Sequence, residues 1–399
     1  MNINFQRKVD RYIGAFICRI LSVFSRSQNP RPSPHQAPKI LVILLSEMGS
    51  LVLAYPMFER IKAKYPGAVL YGLLFEKNKE VLELLDVLPP EHMLTIRDKS
   101  FLTLVRDSIS VLIQLRKTKF EIVIDCELFS RISSIFSFLS GADIRVGFHP
   151  HTQEGLYRGN FINRPVLYNP YRHMSHQFLT LAAAIDSDST PRAKQPENFE
   201  YLKAPLIDFE PDDIHHMQQK LYRHFNGIRD KKLVLIYPGG GLLPIRAWPK
   251  EYYAEIATQL LQKKYAVAII GLAEDKPLAC EILSHCNSPA CIDLTGYTKT
   301  VHELMLIFQF AQLLITNDGG PGQFAAMTPI PSIIFYGPET PKLYGPDDAK
   351  ATIFYDPLPC SPCLTAYNHR NSPCDGHNLC LTQIHPDSVL VKAFEILKS

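Results

Sequence analysis

Residues 314–327, which read LITNDGGPGQFAAM, constrain the fold of this chain most. An apolar strand is predicted to end at Thr316, three glycines and a proline then turn the chain, and Gln323 begins a helix. A strand, a Gly-rich turn and a helix in this order direct several backbone N–H groups and the helix dipole at one point, which suits a phosphate or pyrophosphate. Asp318, at the carboxyl end of the strand, suits a sugar or ribose hydroxyl. The turn matches neither G-x-G-x-x-G nor the P-loop, so a purely structural turn is the alternative.

Apolar runs typical of buried parallel strands alternate with helical patterns along most of the chain. The predicted strands are 40–45, 69–75, 120–125, 145–148, 232–237, 266–270, 291–294, 313–316 and 332–336. Such alternation forms βαβ units, so the fold class is α/β with two Rossmann-like, doubly wound domains. The polar, Pro-containing stretch 186–211 separates them into domains 39–205 and 206–399. A cleft between two such domains is a favoured place for a ligand.

Composition excludes two classes of protein. The chain has 399 residues with a net charge of +3, which does not indicate a nucleic-acid binder. Hydrophobic residues make up 46% of it, as in a globular protein with real cores. No apolar run approaches the ~20 residues that a membrane-spanning helix needs.

Residues 1–38 differ from the rest of the chain. Apolar residues recur there at helical spacing, namely Phe5, Val9, Tyr12, Ile13, Phe16, Ile17, Ile20, Leu21 and Phe24. Cations flank or interrupt them, at Arg7, Lys8, Arg11, Arg19 and Arg26. Residues 25–38 are rich in Pro and Ser and are typical of a linker. The pattern predicts an amphipathic, membrane-associating helix on a loose tether, and a helix packed on the protein's own body is the alternative.

Further stretches follow one another in a fixed order. They are KILVILLSEMGSLVLAYP from Lys39, FEIVIDCELFSR from Phe120, RVGF from Arg145, YPGGGLLPIRAWP from Tyr237, GLAED from Gly271, LTG from Leu294, ITNDGGPGQFAA from Ile315 and PCSPC from Pro359. Through these motifs, residues 39–390 resemble the heptosyltransferase-like glycosyltransferases of family nine, which have the GT-B fold of two Rossmann-like domains.

The resemblance implies an inverting, metal-independent glycosyltransferase without a required cofactor. Its partners would be a nucleotide-diphosphate sugar, carrying heptose or a related sugar, and a glycan or glycolipid acceptor in lipopolysaccharide or cell-surface polysaccharide synthesis. The second domain would bind the donor and the first domain the acceptor. A final helix from about residue 385 would pack back across the first domain. Together with the N-terminal helix, this places the protein on the inner face of the cytoplasmic membrane.

The first strand-end turn departs from the family pattern. The family motif Ser-Ser-x-Gly-Asp supplies the carboxylate usually taken as general base, but Ser50 stands at that position and Glu47 replaces the second serine. A serine cannot take the proton of the acceptor hydroxyl unaided, so Glu47 is predicted to replace the base. The alternative is that Glu47 only stabilises the helix dipole. Ser46, Ser50 and Arg131 are predicted to contact the acceptor.

The resemblance also assigns donor-binding residues. They are Gly239, Gly240, Arg246, Glu274, Asp318, Gly319, Gly320 and Gln323. Arg246 aligns with a cation that faces the donor diphosphate and would offset the charge of the leaving nucleotide. The alternatives are a surface arginine at Arg246 and a solvated loop charge at Glu274. Gln323 stands where many members carry His, and Trp248 is expected to be a packing residue.

Four of the nine cysteines cluster near the C-terminus, at Cys360, Cys363, Cys374 and Cys380. Their spacing resembles that of a structural zinc or Fe–S site, with His369 and His377 nearby. Free thiols are the preferred interpretation, a structural zinc site is the second, and disulfides are the last.

Two other classes of function stay open. A non-catalytic sugar-nucleotide-binding assembly protein is favoured if Ser50 means that the chemistry is lost. A sugar-nucleotide epimerase of the same architecture would need catalytic carboxylates and histidines but no acceptor. The donor sugar, the acceptor and the linkage do not follow from the sequence.

Overall fold

A computed structural model describes residues 8–25, 37–45, 47–128, 130–148, 157–194, 203–366 and 370–398. The chain forms two compact units that divide between Lys203 and Ala204, close to the expected boundary after residue 205. The two doubly wound α/β sheets that the sequence predicts are both present.

Six parallel strands form the sheet of the first unit, in the order β3-β2-β1-β4-β5-β6. The strands are Lys39–Ile43 (β1), Val69–Phe75 (β2), Met93–Ile96 (β3), Ile122–Asp125 (β4), Ile144–Phe148 (β5) and Arg164–Val166 (β6). The helices are Ala15–Phe24 (α1), Met48–Lys64 (α2), Lys79–Leu84 (α3), Phe101–Thr118 (α4), Arg131–Leu139 (α5) and Met174–Ala183 (α6). The strand order reverses between β1 and β4, which makes their carboxyl ends the expected ligand edge of this sheet.

The second unit repeats this topology, with six parallel strands in the order β12-β11-β10-β7-β8-β9. The strands are Leu233–Tyr237 (β7), Ala266–Gly271 (β8), Cys291–Thr295 (β9), Leu313–Asn317 (β10), Ser332–Tyr336 (β11) and Ala351–Tyr355 (β12). The helices are Pro211–His224 (α7), Lys250–Gln262 (α8), Lys276–Cys286 (α9), Val301–Phe310 (α10), Gly320–Ala326 (α11), Pro341–Tyr344 (α12), Leu379–Thr382 (α13) and Pro386–Lys398 (α14). The order reverses between β7 and β10, so their carboxyl ends form the corresponding edge.

Each sheet is covered by helices because its central strands are apolar on both faces. All five residues of β7, β10 and β11 are buried. Trp248 is buried in the core of the second unit and stacks on Phe335, with ring centroids 4.4 Å apart. This confirms Trp248 as a packing residue.

The final helix, α14, belongs to the core of the second unit. Its buried side chains include Val389, Ala393 and Leu397, which cluster with residues of β7, β10 and α8. The expected packing of this helix across the first domain stays a prediction.

The N-terminal segment is helical and packs on the first unit. A π-helical turn, Asp10–Gly14, leads into α1, and Cys18 of α1 is buried against Ile135 of α5 and Phe161. Ser22 shares a hydrogen bond of 2.7 Å with the Tyr157 hydroxyl. The described part of this helix is therefore not detached from the body, contrary to the reasoning from its Pro- and Ser-rich linker. Its membrane-associating character stays a prediction, and residues 26–36 lie outside the described residues.

Candidate active site

Asn317 links the ends of β7 and β10, the two strands between which the strand order of the second sheet reverses. Its side-chain nitrogen donates to the carbonyls of Pro238 and Gly239, at 3.0 Å each. Its oxygen accepts from the backbone N–H of Trp248 at 2.8 Å and from the Tyr253 hydroxyl at 2.9 Å. Asn317 is fully buried, so these bonds satisfy its amide inside the protein. These bonds therefore hold the loop after β7 beside the end of β10.

Arg246 and Asp318 form an ion pair at this edge. A guanidinium nitrogen of Arg246 lies 3.2 Å from a carboxylate oxygen of Asp318, and the two side chains are only 13% and 7% exposed. This burial contradicts the alternative of a surface arginine. The hydroxyl of Tyr336 donates to the carbonyl of Tyr344 at 3.2 Å, and burial, followed by the nearby charge of Asp318, raises the pKa of Tyr336. Two residues assigned to the donor, 72 positions apart, are thus brought together.

The turn after β7 requires glycine. A Cβ added at Gly240 would lie 2.8 Å from the carbonyl oxygen of Leu243 and from Cα of Pro244, which is closer than real Cβ contacts. Next to it, Gly239 lies against the ring of Tyr237. Burial, followed by the charge of Asp275, raises the pKa of Tyr237 to about 12. A tight turn without side chains lets a ligand approach the backbone closely.

The Gly-rich turn after β10 leads into α11. Gly319 is extended, and the helix begins at Gly320. A Cβ at Gly322 would lie 3.0 Å from Cδ1 of Ile334, so the glycine lets α11 pack tightly on β11. The first N–H groups of a helix have no partner within that helix. The first N–H groups of α11 therefore lie at the same edge of the sheet as Asp318.

The remaining donor candidates differ in their surroundings. Gln323 is buried, and its side-chain nitrogen donates to the carbonyl of Tyr344 at 2.6 Å. Glu274 is exposed in the turn after β8. Burial and the charge of Asp275 raise the pKa of Tyr237, Arg246 lowers it, and the charge of Glu274 adds a smaller upward effect. Contact of either side chain with the donor stays a prediction.

Glu47 occupies the corresponding edge of the first sheet. It directly precedes α2, has an extended backbone, and its carbonyl accepts from the N–H of Ser50 at 3.1 Å. Its side chain makes no hydrogen bond that caps the helix, and the residue is partly exposed. Ser50 lies in the first turn of α2, whereas Ser46 is outside the described residues. The carboxylate therefore lies where a ligand of this sheet would bind.

Two other carboxylates near this edge are buried and bonded to other residues of the first unit. Asp125 is fully buried and forms an ion pair with Arg158. Burial raises the pKa of Asp125, and Arg158 opposes that effect. Glu127 is 4% exposed and accepts from the backbone N–H of Leu45 at 2.7 Å. Of these three carboxylates, Glu47 is the one whose exposure suits contact with an acceptor.

Arg131 connects α5 to the N-terminal segment. Its side chain donates to the carbonyl of Tyr157 at 2.9 Å and to Asp10 at 3.3 Å. The same Asp10 accepts from the backbone N–H groups of Arg131 and Ile132, at 2.8 and 3.1 Å. Arg131 is buried, and its contact with the acceptor stays a prediction.

A cavity of about 440 Å³ lies elsewhere in the first unit. It is lined by the last turns of α2 and α6 and by residues that include Arg60, Lys64, Asp186 and Ser189. The cavity is therefore at the end of α2 opposite to Glu47, and the strand-end edge carries the candidate chemistry.

A family comparison decides the class of protein. The model of glycosyltransferase family 9 (heptosyltransferase) matches residues 109–372, more than half of the chain. The chain belongs to this family. It is therefore a glycosyltransferase, and the resemblance seen in the motifs is confirmed.

Curated relatives match this family 9 protein over different shares of its length. It is 24% identical to lipopolysaccharide heptosyltransferase 2 of Salmonella typhimurium, over 90% of this chain and 98% of the relative. It is 30% identical to lipooligosaccharide heptosyltransferase 2 of Haemophilus influenzae, over 43% of this chain and 49% of the relative. The solved structure of E. coli ADP-heptose lipopolysaccharide heptosyltransferase II matches with a TM-score of 0.69 at 20% identity, covering 90% and 98% of the two chains. This likeness confirms the GT-B fold.

None of the nine cysteines of this family 9 chain forms a disulfide bond. Cys380 is buried, and burial, followed by the charges of Cys363, Cys360 and Cys374, raises the pKa of its thiol to about 11. Within the described ranges, no three or more His, Cys, Asp or Glu side chains are arranged to hold a metal ion. Likewise, none of the helices described is long and apolar enough to cross a membrane.

Sequence reasoning missed Asn317, Tyr336 and Arg158 as residues that shape the two edges. Asn317 follows a predicted strand directly, which is a weak signal for such a role. The partners of Arg158, Asp125 and the Glu127 carbonyl, are about 30 positions away, and no local pattern indicates them.

Proposed function

We propose that this chain transfers heptose from ADP-heptose to a glycan or glycolipid acceptor, with inversion, in lipopolysaccharide or cell-surface polysaccharide synthesis. Family membership and the names of the relatives support the sugar and the nucleotide. The observation that carries the proposal is the Arg246–Asp318 pair beside the two glycine-rich turns of the second unit. A largely desolvated guanidinium next to closely approachable backbone suits a diphosphate.

The described residues divide the reaction between them. Glu47 takes the proton of the acceptor hydroxyl as its oxygen bonds to the anomeric carbon of the donor sugar. The bond from that carbon to the diphosphate breaks, and ADP leaves with the electron pair. Arg246 offsets the charge that gathers on the leaving diphosphate, so transfer needs no metal ion. A structural zinc held by Cys360, Cys363, Cys374 and Cys380 is the alternative to free thiols, and the zinc content of the purified protein distinguishes them.

The protein is proposed to work at the inner face of the cytoplasmic membrane. The N-terminal segment buries Cys18 of α1 but leaves Tyr12 of the π-helical turn and Phe16, Ile20, Val23 and Phe24 of α1 exposed. Apolar side chains beside Arg11 and Arg19 suit the interface of an anionic bilayer, on which a glycolipid acceptor would be presented.

Thermal-shift measurements with a panel of sugar nucleotides test the donor assignment. A ligand at 100 times its Kd stabilises the folded state by about 2.7 kcal/mol. ADP-heptose should therefore raise the Tm by several degrees more than UDP- or GDP-linked sugars do, and Arg246→Ala should lose most of that shift. Equal shifts with all nucleotides, or a preference for another nucleotide, would contradict the proposed donor.

A further inference from the structure

Helix α4 leaves an apolar stripe on the surface of the first unit. Leu102, Val105, Ile109 and Ile113 stand three or four residues apart and follow one side of the helix. They are 80%, 40%, 54% and 51% exposed. These four residues are named the α4 face. Single exposed apolar residues are ordinary, whereas a stripe over three helical turns marks a surface that contacts something apolar.

The α4 face is not needed to hold the helix on the sheet. The opposite side of α4 buries Val111 and Leu115 in the core of the first unit, together with Phe136 of α5. Ser100 and Thr103 close the start of the helix with a capping box. The helix is therefore anchored and capped without the four exposed side chains.

The charges around the α4 face are positive. Residues 97–119 contain two acidic residues, and both are ion-paired, Asp98 with Lys77 at 3.0 Å and Asp107 with Arg97 at 2.8 Å. The same stretch contains six cationic residues, namely Arg97, Lys99, Arg106, Arg116, Lys117 and Lys119. Helix α4 is described throughout, and its exposed residues include Arg106, Arg116 and Lys117 but no acid.

We infer that the α4 face rests on an anionic membrane surface. Apolar side chains flanked by cations suit an interfacial helix, since the apolar groups enter the boundary of headgroups and acyl chains while Lys and Arg meet anionic headgroups. A second copy of this chain is a poorer occupant. In a symmetric dimer the same patch faces itself, so the cations of the two α4 helices would repel each other.

Helix α1 supports this choice of occupant. It packs against α5, the same helix that packs beside α4, and also leaves apolar side chains exposed. The α4 face would thus add a second membrane contact to the one proposed for α1. The inference rests on the proposed function in one respect, which is that the proposed function places the reaction at such a membrane.

Vesicle sedimentation of the full-length protein tests the α4 face directly. The probe is a vesicle of equimolar phosphatidylcholine and phosphatidylglycerol, without donor or acceptor, so the result does not depend on transfer activity. Ile109→Ser/Ile113→Ser should lower the partition coefficient by about tenfold, because two half-exposed side chains no longer enter the bilayer. The matched control, Leu167→Ser/Val391→Ser, removes side chains that are 51% and 61% exposed elsewhere and should bind like the wild type.

The charge component is tested separately. Arg106→Gln/Lys117→Gln should weaken binding to the anionic vesicles several-fold and have little effect on pure phosphatidylcholine. Turnover with a water-soluble acceptor should be unchanged in all these variants. Wild-type sedimentation of Ile109→Ser/Ile113→Ser would overturn the inference. The inference would also be overturned if that variant bound vesicles normally but lost a dimer that the wild type forms in size-exclusion chromatography. The α4 face would then be an interface between copies of the chain.

Discussion

At the residue scale, the Arg246–Asp318 pair has two effects. Because both side chains are largely buried, removal of one leaves the other charge desolvated, which typically costs about 3–5 kcal/mol. The pair also fixes the guanidinium before a donor arrives, which reduces the cost of ordering it on binding. Arg246 is therefore expected to contribute to stability as well as to donor binding.

Substitution of Arg246 separates these effects. Arg246→Ala should lower kcat/KM by about 10²-fold or more, since a positioned charge at the leaving group is lost. Arg246→Lys should retain stability better than activity, because Lys keeps the charge but not the planar, bidentate geometry. Steady-state kinetics and thermal unfolding measure both. Arg223→Ala, at an exposed arginine of the same unit, is the control, and normal kinetics in Arg246→Ala would sink the assignment.

Glu47 is the second residue on which the proposed mechanism depends. Glu47→Gln keeps the size of the side chain and removes its charge, so turnover should fall by about 10²–10⁴-fold with donor affinity nearly intact. Ser50→Ala should be mild, because a hydroxyl in the first turn of α2 cannot act as the base alone. Single-turnover rates and donor titrations provide the comparison. A fully active Gln variant, or an inactive Ser50→Ala, would transfer the role of base to another group.

The sequence indicated some site residues and not others for a physical reason. Asp318 and Arg246 each stand in a local pattern, a strand-end turn and an Arg-Ala-Trp-Pro motif, so they were identifiable. The role of Asn317 depends on bonds to residues 64 to 79 positions away. The burial of Arg246 depends in the same way on Asp318, and spacing along the chain does not encode such contacts.

At the element scale, the central strands were predictable and most edge strands were not. Strands β1, β4, β7 and β10 are largely buried, and each contains a run of at least three consecutive apolar residues. The sequence analysis missed β3, β6 and β12, which lie at sheet edges. β3 has four residues, β6 has three including Pro165, and β12 is mostly half-exposed, so none shows the apolar run of a buried strand.

Helix α1 shows how a linker can mislead. Its Pro- and Ser-rich neighbour suggested detachment, whereas Asp10 bonds the start of α5 and Cys18 is buried. The exposed side of α1 is still apolar, with Phe16 63% and Val23 82% exposed. One helix therefore offers a packing face and a second apolar face.

A substitution on the exposed side of α1 tests its membrane role without disturbing its packing. Phe16→Ser/Val23→Ser should lower the partition of full-length protein onto anionic vesicles by about tenfold or more. The Tm should stay close to that of the wild type, because neither side chain is buried. Cys18→Ser is the contrasting variant, expected to lower the Tm with little effect on vesicle binding. Equal sedimentation of the wild type and the Phe16/Val23 variant would rule out the anchor.

At the scale of the whole molecule, the chain contains two α/β units with the same strand order and different strand-end chemistry. The edge of the first unit carries a partly exposed carboxylate, Glu47, and that of the second carries a cation, Arg246, beside glycine-rich turns. A base for a hydroxyl and a cation for a diphosphate are the two groups that metal-independent sugar transfer requires. The repeated topology followed from the alternation of strands and helices, whereas the sugar and acceptor depend on contacts that no pattern specifies.

The most direct test is a reaction of the purified protein with ADP-heptose and a lipopolysaccharide precursor, with ADP release and the mass of the acceptor measured together. The account predicts that ADP forms only when both substrates are present, that the acceptor gains one heptose per ADP, and that Glu47→Gln loses both signals. Donor binding without ADP release, or ADP release without a change in the acceptor's mass, would contradict it.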